Sequence, residues 1–148
     1  MTKYDLKADK DDLKSMIILF NTHKALVEVV KKDIKKYGYD LNEFSVFEVV
    51  FHKGKLTVQE IKEKILVANS SLTYILDKLE KKEIITRTRD EFDKRIFYIE
   101  LTEKGTIEAN SIFPKHYERL RSVFSILDNE DKNTLNTLLK KVGYNTKE

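Results

Sequence analysis

The 148-residue chain has no cysteine and no tryptophan, one proline, four glycines and three histidines. Without cysteine it forms no disulfide, no thiolate metal site and no thiol-based redox switch of its own. So few glycines leave little for a phosphate-cradling loop, and neither a Walker-type loop nor a G-x-S-x-G elbow occurs. The scarcity of proline and glycine also argues against long disordered linkers. No apolar run reaches the roughly 18 residues of a membrane span, and the start is not signal-like. A cytosolic chain without a membrane partner is expected. His23, His52 and His116 are scattered, which makes a poor zinc set. Glu48 and His52, four apart on a predicted helix, are the one pair that keeps a metal-responsive alternative open. Nothing supports catalysis or a cofactor.

What is present is charge and helical periodicity. Charged residues make up 36% of the chain, yet the formal net charge is only +3, so a polyanionic partner would have to be met by patterned charge. From Asp11 to Tyr37, Leu13, Met16, Ile17, Phe20, Val27, Val30 and Ile34 recur at helical spacing, with a stop near Gly38. Asn42 is placed to cap a second helix holding Phe44, Phe47, Val50 and Phe51, which Gly54 ends. Thr57-Val58-Gln59-Glu60 reads as a capping box opening a short third helix. Asn69 or Ser70 then caps a fourth. Its Leu72, Ile75, Leu76 and Leu79 form an i, i+3, i+4, i+7 stripe, and its other face carries Ser70, Ser71, Thr73, Tyr74 and Lys78.

Residues Ile84 to Arg89 and Arg95 to Leu101 read as two strands around a charged loop, Asp90-Glu91-Phe92-Asp93-Lys94. Thr102 caps another helix, which runs to about Leu127 with Pro114 as a predicted kink or break. A last helix starts at Asp128–Asp131, carries Leu135, Leu138, Leu139 and Val142 as an apolar stripe, and is expected to end at Gly143. The order is that of a winged helix-turn-helix: mainly α, with a small β-hairpin wing.

Two constellations carry the functional reading. Asn69, Ser70, Ser71, Thr73 and Tyr74, with Lys78, put short polar groups at the N-terminal end of a helix, where a DNA reader meets base edges and phosphates. Alone, the same segment is an ordinary polar cap and solvated face. Its position after a capping box with Thr57, and before a hairpin, favours DNA. In Asp93-Lys94-Arg95 the aspartate is placed to orient an arginine for a narrow minor groove, and Arg87, Arg89 and Lys94 add charge that reaches phosphates. Alone, this is a surface ion pair worth roughly 0–1 kcal/mol.

Leu79-Glu80-Lys81-Lys82, the arginine-bearing strand, Asp93-x-Arg95 and Leu101-Thr102-x-x-Gly105, in this order and spacing, resemble the MarR family of bacterial transcriptional regulators. The chain departs from the family at Glu83, where glycine is usual between recognition helix and wing. The resemblance implies a triangular homodimer over a palindromic operator in double-stranded DNA. It divides a single 1–148 unit into dimerisation helices, 11–37 and 103–142, and a DNA-binding lobe, 42–102. It implies repression relieved by a small aromatic effector, phenolic, quinone-like or drug-like; the stretch from His52 to Lys82 looks most like the phenol- and quinone-responsive branch. Phe20, His23, Tyr37, Phe47 and Phe51 are the candidate effector residues, and plain hydrophobic core is the competing reading. A winged helix reused for protein–protein docking is the alternative function.

Overall fold

The computed structural model of the chain describes residues 10–65 and 69–147, with backbone alone for Asp12, Asn69 and Ser70. The elements in order are α1 (Lys10–Lys35), α2 (Leu41–Lys53), β1 (Leu56–Thr57), α3 (Val58–Lys64), α4 (Asn69–Lys81), β2 (Ile85–Arg89), β3 (Phe97–Leu101), α5 (Glu103–Phe124) and α6 (Asn129–Asn145). The chain divides into two compact units, one up to Ile112 and one from Phe113.

In the first unit the core lies between α2, α3, α4 and the sheet. Phe44, Val46, Phe47 and Val50 of α2 are buried together with Leu56, Ile61, Ile85 and Ile99. The predicted stripe of α4 is buried in full: Leu72, Ile75, Leu76 and Leu79. Tyr39 extends this core, its ring 5.3 Å from Phe47 and 6.3 Å from Phe44. Burial on one face dictates which side of α4 meets solvent, so the core orients the candidate site.

Local signals set most helix ends. Gly38 (φ 87°) and Gly54 (φ 77°) take the left-handed conformation that stops α1 and α2. The capping box is present: Thr57 Oγ1 accepts from Glu60 N–H at 3.1 Å, and Glu60 Oε2 accepts from Thr57 N–H at 2.7 Å. The cap of α2 is Asp40, not Asn42. Asp40 has the extended backbone that a cap needs (φ −87°, ψ 171°), and its Oδ1 accepts from Glu43 N–H at 2.8 Å. Asn42 already lies inside the helix.

The wing is larger than a hairpin. The sheet has three antiparallel strands in the order β1-β3-β2, with Leu56 opposite Ile99 and Arg87 opposite Ile99 on the other side. Two-residue β1 has no periodicity to read, and its pairing spans more than forty positions. Strand β3 begins at Phe97 and not at Arg95, because Arg95 donates its N–H to Asp93 Oδ1 (3.0 Å) and so leaves the ladder for the turn.

Glu83 occupies a left-handed position (φ 62°) at the end of α4. Ile84 N–H reaches Leu79 O (3.0 Å) and Glu83 N–H reaches Glu80 O (2.9 Å). These are the two bonds of a Schellman cap, the geometry that glycine usually serves. The turn keeps its shape with glutamate in it, and Lys104 pairs with the Glu83 carboxylate at 3.2 Å. Thr102 locks the other side of the junction: its hydroxyl donates to Glu83 O (2.6 Å) and accepts from Gly105 N–H (2.8 Å), capping α5 as predicted.

In the second unit, Phe113 and His116 are buried, and the Phe113 ring lies 6.0 Å from Tyr117. Pro114 does not break its helix, which is continuous from Glu103 to Phe124. Proline removes one amide donor, and both Pro114 and Asn110, whose carbonyl loses that donor, are exposed residues. Asp128 caps α6, accepting from Asp131 N–H at 2.8 Å. Helix α6 passes through Gly143 to Asn145, so the glycine does not end it. Leu138, Leu139 and Val142 of its apolar stripe are exposed. Among the described residues no helix is long and apolar enough to cross a membrane.

Candidate nucleic-acid interface

With its stripe buried, α4 turns Thr73 and Tyr74 outward, Tyr74 at 65% exposure. Ser71 is half-buried beside them. Asn69 and Ser70 form the first residues of the helix, and their side chains lie outside the described residues. Lys78, one turn beyond Tyr74, has its ammonium 5.3 Å from the Tyr74 ring centroid.

The wing tip is tied by two aspartates. Asp90 Oδ2 accepts from the N–H groups of Phe92 (3.0 Å) and Asp93 (2.8 Å), which fixes the turn. Asp93 grips Arg95 at two points: Oδ1 accepts from Nε and Oδ2 from a terminal guanidinium nitrogen, both at 3.0 Å. The bond from Arg95 holds the Asp93 carboxyl below the usual carboxylate range, and Asp93 raises the guanidinium in turn. Backbone N–H groups of Asp93 and Phe92 lower Asp90 likewise. The Arg95 side chain is nonetheless 90% exposed. A charged fork held in one orientation and open to solvent is what insertion into a groove requires.

The other predicted cations divide into two groups. Arg89 and Lys94 are exposed on or beside the wing, Arg89 over the Phe97 ring at 5.0 Å. Arg87 and Lys78 are instead held by acids of the fold. Arg87 donates Nε to Glu80 (3.0 Å) and a terminal nitrogen to Asp77, joining β2 to α4. Partial burial opposes its charged form, but the two carboxylates outweigh that and raise it. Lys78 sits between Asp40 (2.9 Å) and Glu43 (3.0 Å), which raise its ammonium well above the ordinary range. Thr57 spends its hydroxyl oxygen on the cap of α3 and is half-buried.

Two features of the interface went unread in the sequence. Phe92 stands 91% exposed at the wing tip, and Asp90 is the residue that shapes that tip. The Asp90-x-x-Asp93 spacing is an available signal for such a turn.

The five effector candidates do not share one environment. Phe47 is 0% exposed and belongs to the core, the competing reading; Phe20 and His23 lie exposed on α1; Tyr37 and Phe51 are half-buried. Glu48 and His52 approach to 4.0 Å, but among the described residues no group of three or more metal-ligating side chains occurs.

A buried-stripe helix after a capping-boxed helix, followed by a sheet with a pinned arginine at its tip, defines a winged helix-turn-helix protein. The MarR family profile matches residues 40–97. The HTH-type transcriptional regulator MhqR of Bacillus subtilis is 38% identical over 136 residues, covering 92% of this chain and 94% of MhqR. The chain belongs to the MarR family of transcriptional regulators and is not an enzyme. Its fold matches a MarR-like transcription regulator from Bacillus cereus (TM-score 0.83, 17% identity, covering 93% of this chain and 99% of that one). It also matches a MarR variant from E. coli complexed with operator DNA (TM-score 0.75, 24% identity, covering 94% and 99%).

Proposed function

We propose that the protein is a homodimeric repressor that reads a palindromic operator with α4 and the β2–β3 wing and releases it on binding a small aromatic ligand. The observation that carries the DNA assignment is Arg95, exposed yet held in one orientation by Asp93. Thr73 and Tyr74 serve base edges in the major groove, with Ser71 and the start of α4 beside them. Arg95 enters the minor groove, and Arg89 and Lys94 meet phosphates. That the E. coli relative was solved on operator DNA supports the same use of this fold.

Dimerisation is supported by apolar residues left uncovered in each unit. Leu13, Met16, Ile17 and Phe20 are exposed on α1, and Leu138, Leu139 and Val142 on α6. Surfaces of this kind call for a partner, and a second copy is the one that two half-sites require. Phe20 and His23, exposed on α1 with those apolar residues, would line an effector site completed by dimerisation, with Tyr37 and Phe51 as further candidates.

Fluorescence anisotropy with duplex DNA from upstream of the protein's own gene, titrated against salt with and without salicylate, tests the reading. Tight binding that weakens steeply with salt and with salicylate is expected. Tight binding indifferent to salicylate rejects that effector class. Binding no better than to random duplex, at this and other candidate promoters, moves the function to protein docking.

A further inference from the structure

The acid that faces α4 from the start of α2 has no part in the DNA assignment so far. Glu43 is only 3% exposed, yet each of its carboxylate oxygens receives an ammonium: Lys78 of α4 at 3.0 Å and Lys82, the residue directly after α4, at 2.5 Å. Asp40, the cap of α2, takes Lys78 as well, at 2.9 Å. Lys82 further donates to Gly38 O at 2.8 Å and lies 4.6 Å from the centroid of the Tyr39 ring. The Tyr39 hydroxyl donates to Glu108 Oε1 at 2.6 Å. A connected path of polar contacts therefore runs from α5 through Tyr39, Lys82, Glu43 and Lys78 to the ring of Tyr74.

We infer that Glu43 is a positioning residue for DNA reading: by holding Lys78 and Lys82 together it fixes the rotation and axial setting at which α4 presents Thr73 and Tyr74. Lys78 and Lys82 are four residues apart, on one face and about 6 Å apart along the axis. With one buried carboxylate satisfying both, a slide or roll of α4 that separates either pair leaves a buried charge short of its partner. The inference rests on the assignment of α4 to the major groove.

The test compares sequence discrimination with stability. Duplexes are first enriched from a random pool by the wild-type protein. Affinities of wild type, Glu43→Gln and Lys82→Met are then measured for an enriched duplex and a scrambled one, well below each melting temperature. Glu48→Gln, on the same helix, controls for loss of one negative charge. The ratio of specific to non-specific affinity is expected to fall about tenfold or more in both variants, the scale of one lost base contact. Non-specific affinity should hold or rise in Glu43→Gln, where Lys82 loses its carboxylate partner and Lys78 keeps only Asp40. A merely structural residue would lower both affinities in proportion and leave the ratio unchanged, and that result overturns the inference while leaving the proposed function standing. If Glu43→Gln does not fold, Lys82→Met decides by the same criterion. A wild-type protein that enriches no sequence overturns both readings.

Discussion

Replacing Gly105 by alanine tests how tightly α5 is seated against the end of α4. A Cβ built at Gly105 overlaps the carbonyl oxygen of Ile84 and lies 3.0 Å from its carbonyl carbon. The obstructing atoms are backbone, so no rotamer change relieves them. Moving α5 away would stretch the bond from Thr102 N–H to Ile84 O, now 2.9 Å, and the Thr102 hydroxyl bond to Glu83 O, now 2.6 Å. Overpacking costs about 1–3 kcal/mol, and weakening one such bond adds about 1 kcal/mol. Alanine's better helix propensity returns about 1 kcal/mol. The net is a destabilisation of about 1–3 kcal/mol, or a melting temperature lower by about 3–10 °C for a chain of this size. Gly143→Ala is the contrast: nothing lies within 4 Å of its added Cβ, within α6. That variant should melt about 2–4 °C higher from propensity alone. Thermal melts followed by far-ultraviolet circular dichroism, at one protein concentration, measure both. A Gly105→Ala protein as stable as wild type would refute the close approach of α5 to Ile84.

Glu83→Gly should stabilise by about 1 kcal/mol in urea melts, because it relieves a left-handed side chain and gives up only an exposed pair with Lys104. Arg95→Ala should weaken binding to all duplexes and lower the salt slope by about 1, whereas Thr73→Ala or Tyr74→Ala should change sequence preference; unchanged affinity in all three would sink the groove assignment. Burial, then the hydrogen bond to Glu108, raise the Tyr39 phenol well above its ordinary range. A group whose folded value is raised contributes stability below its unfolded pKa of roughly 10 and loses it as pH rises beyond that. Urea melts from pH 8 to 11 should therefore show stability falling above about pH 10 in wild type, with a shallower decline in Tyr39→Phe; equal slopes would mean that Tyr39 ionises as freely folded as unfolded.

Much of the lobe is legible because its signals are local. The α4 stripe needs only helical periodicity, and the Thr57–Glu60 box spans one turn. The Asp93–Arg95 clamp spans two residues, and a strand end or turn brings such side chains together without help from the rest of the chain. Even the misplaced cap of α2 was a local contest between Asp40 and Asn42, two good capping residues two positions apart. Lys78 and Arg87 show where locality fails. Both are cations beside the proposed DNA face, yet the acids that hold them are Asp40 and Glu43 in one case and Asp77 and Glu80 in the other.

The sequence by itself determined the helix proposed to face DNA, the side of it that is buried, the arginine at the wing tip and the family. Periodicity, capping and short turns act over a few residues, so each is written in adjacent letters. Only the tertiary structure decided the third strand, the contact of Gly105 with Ile84, the burial of Glu43 and which cations the acids of the fold hold. Those depend on groups brought together across the chain, Tyr39 with Glu108 and Lys82 with Glu43, and a charge pattern does not say which opposite charge the packed core will bring within reach.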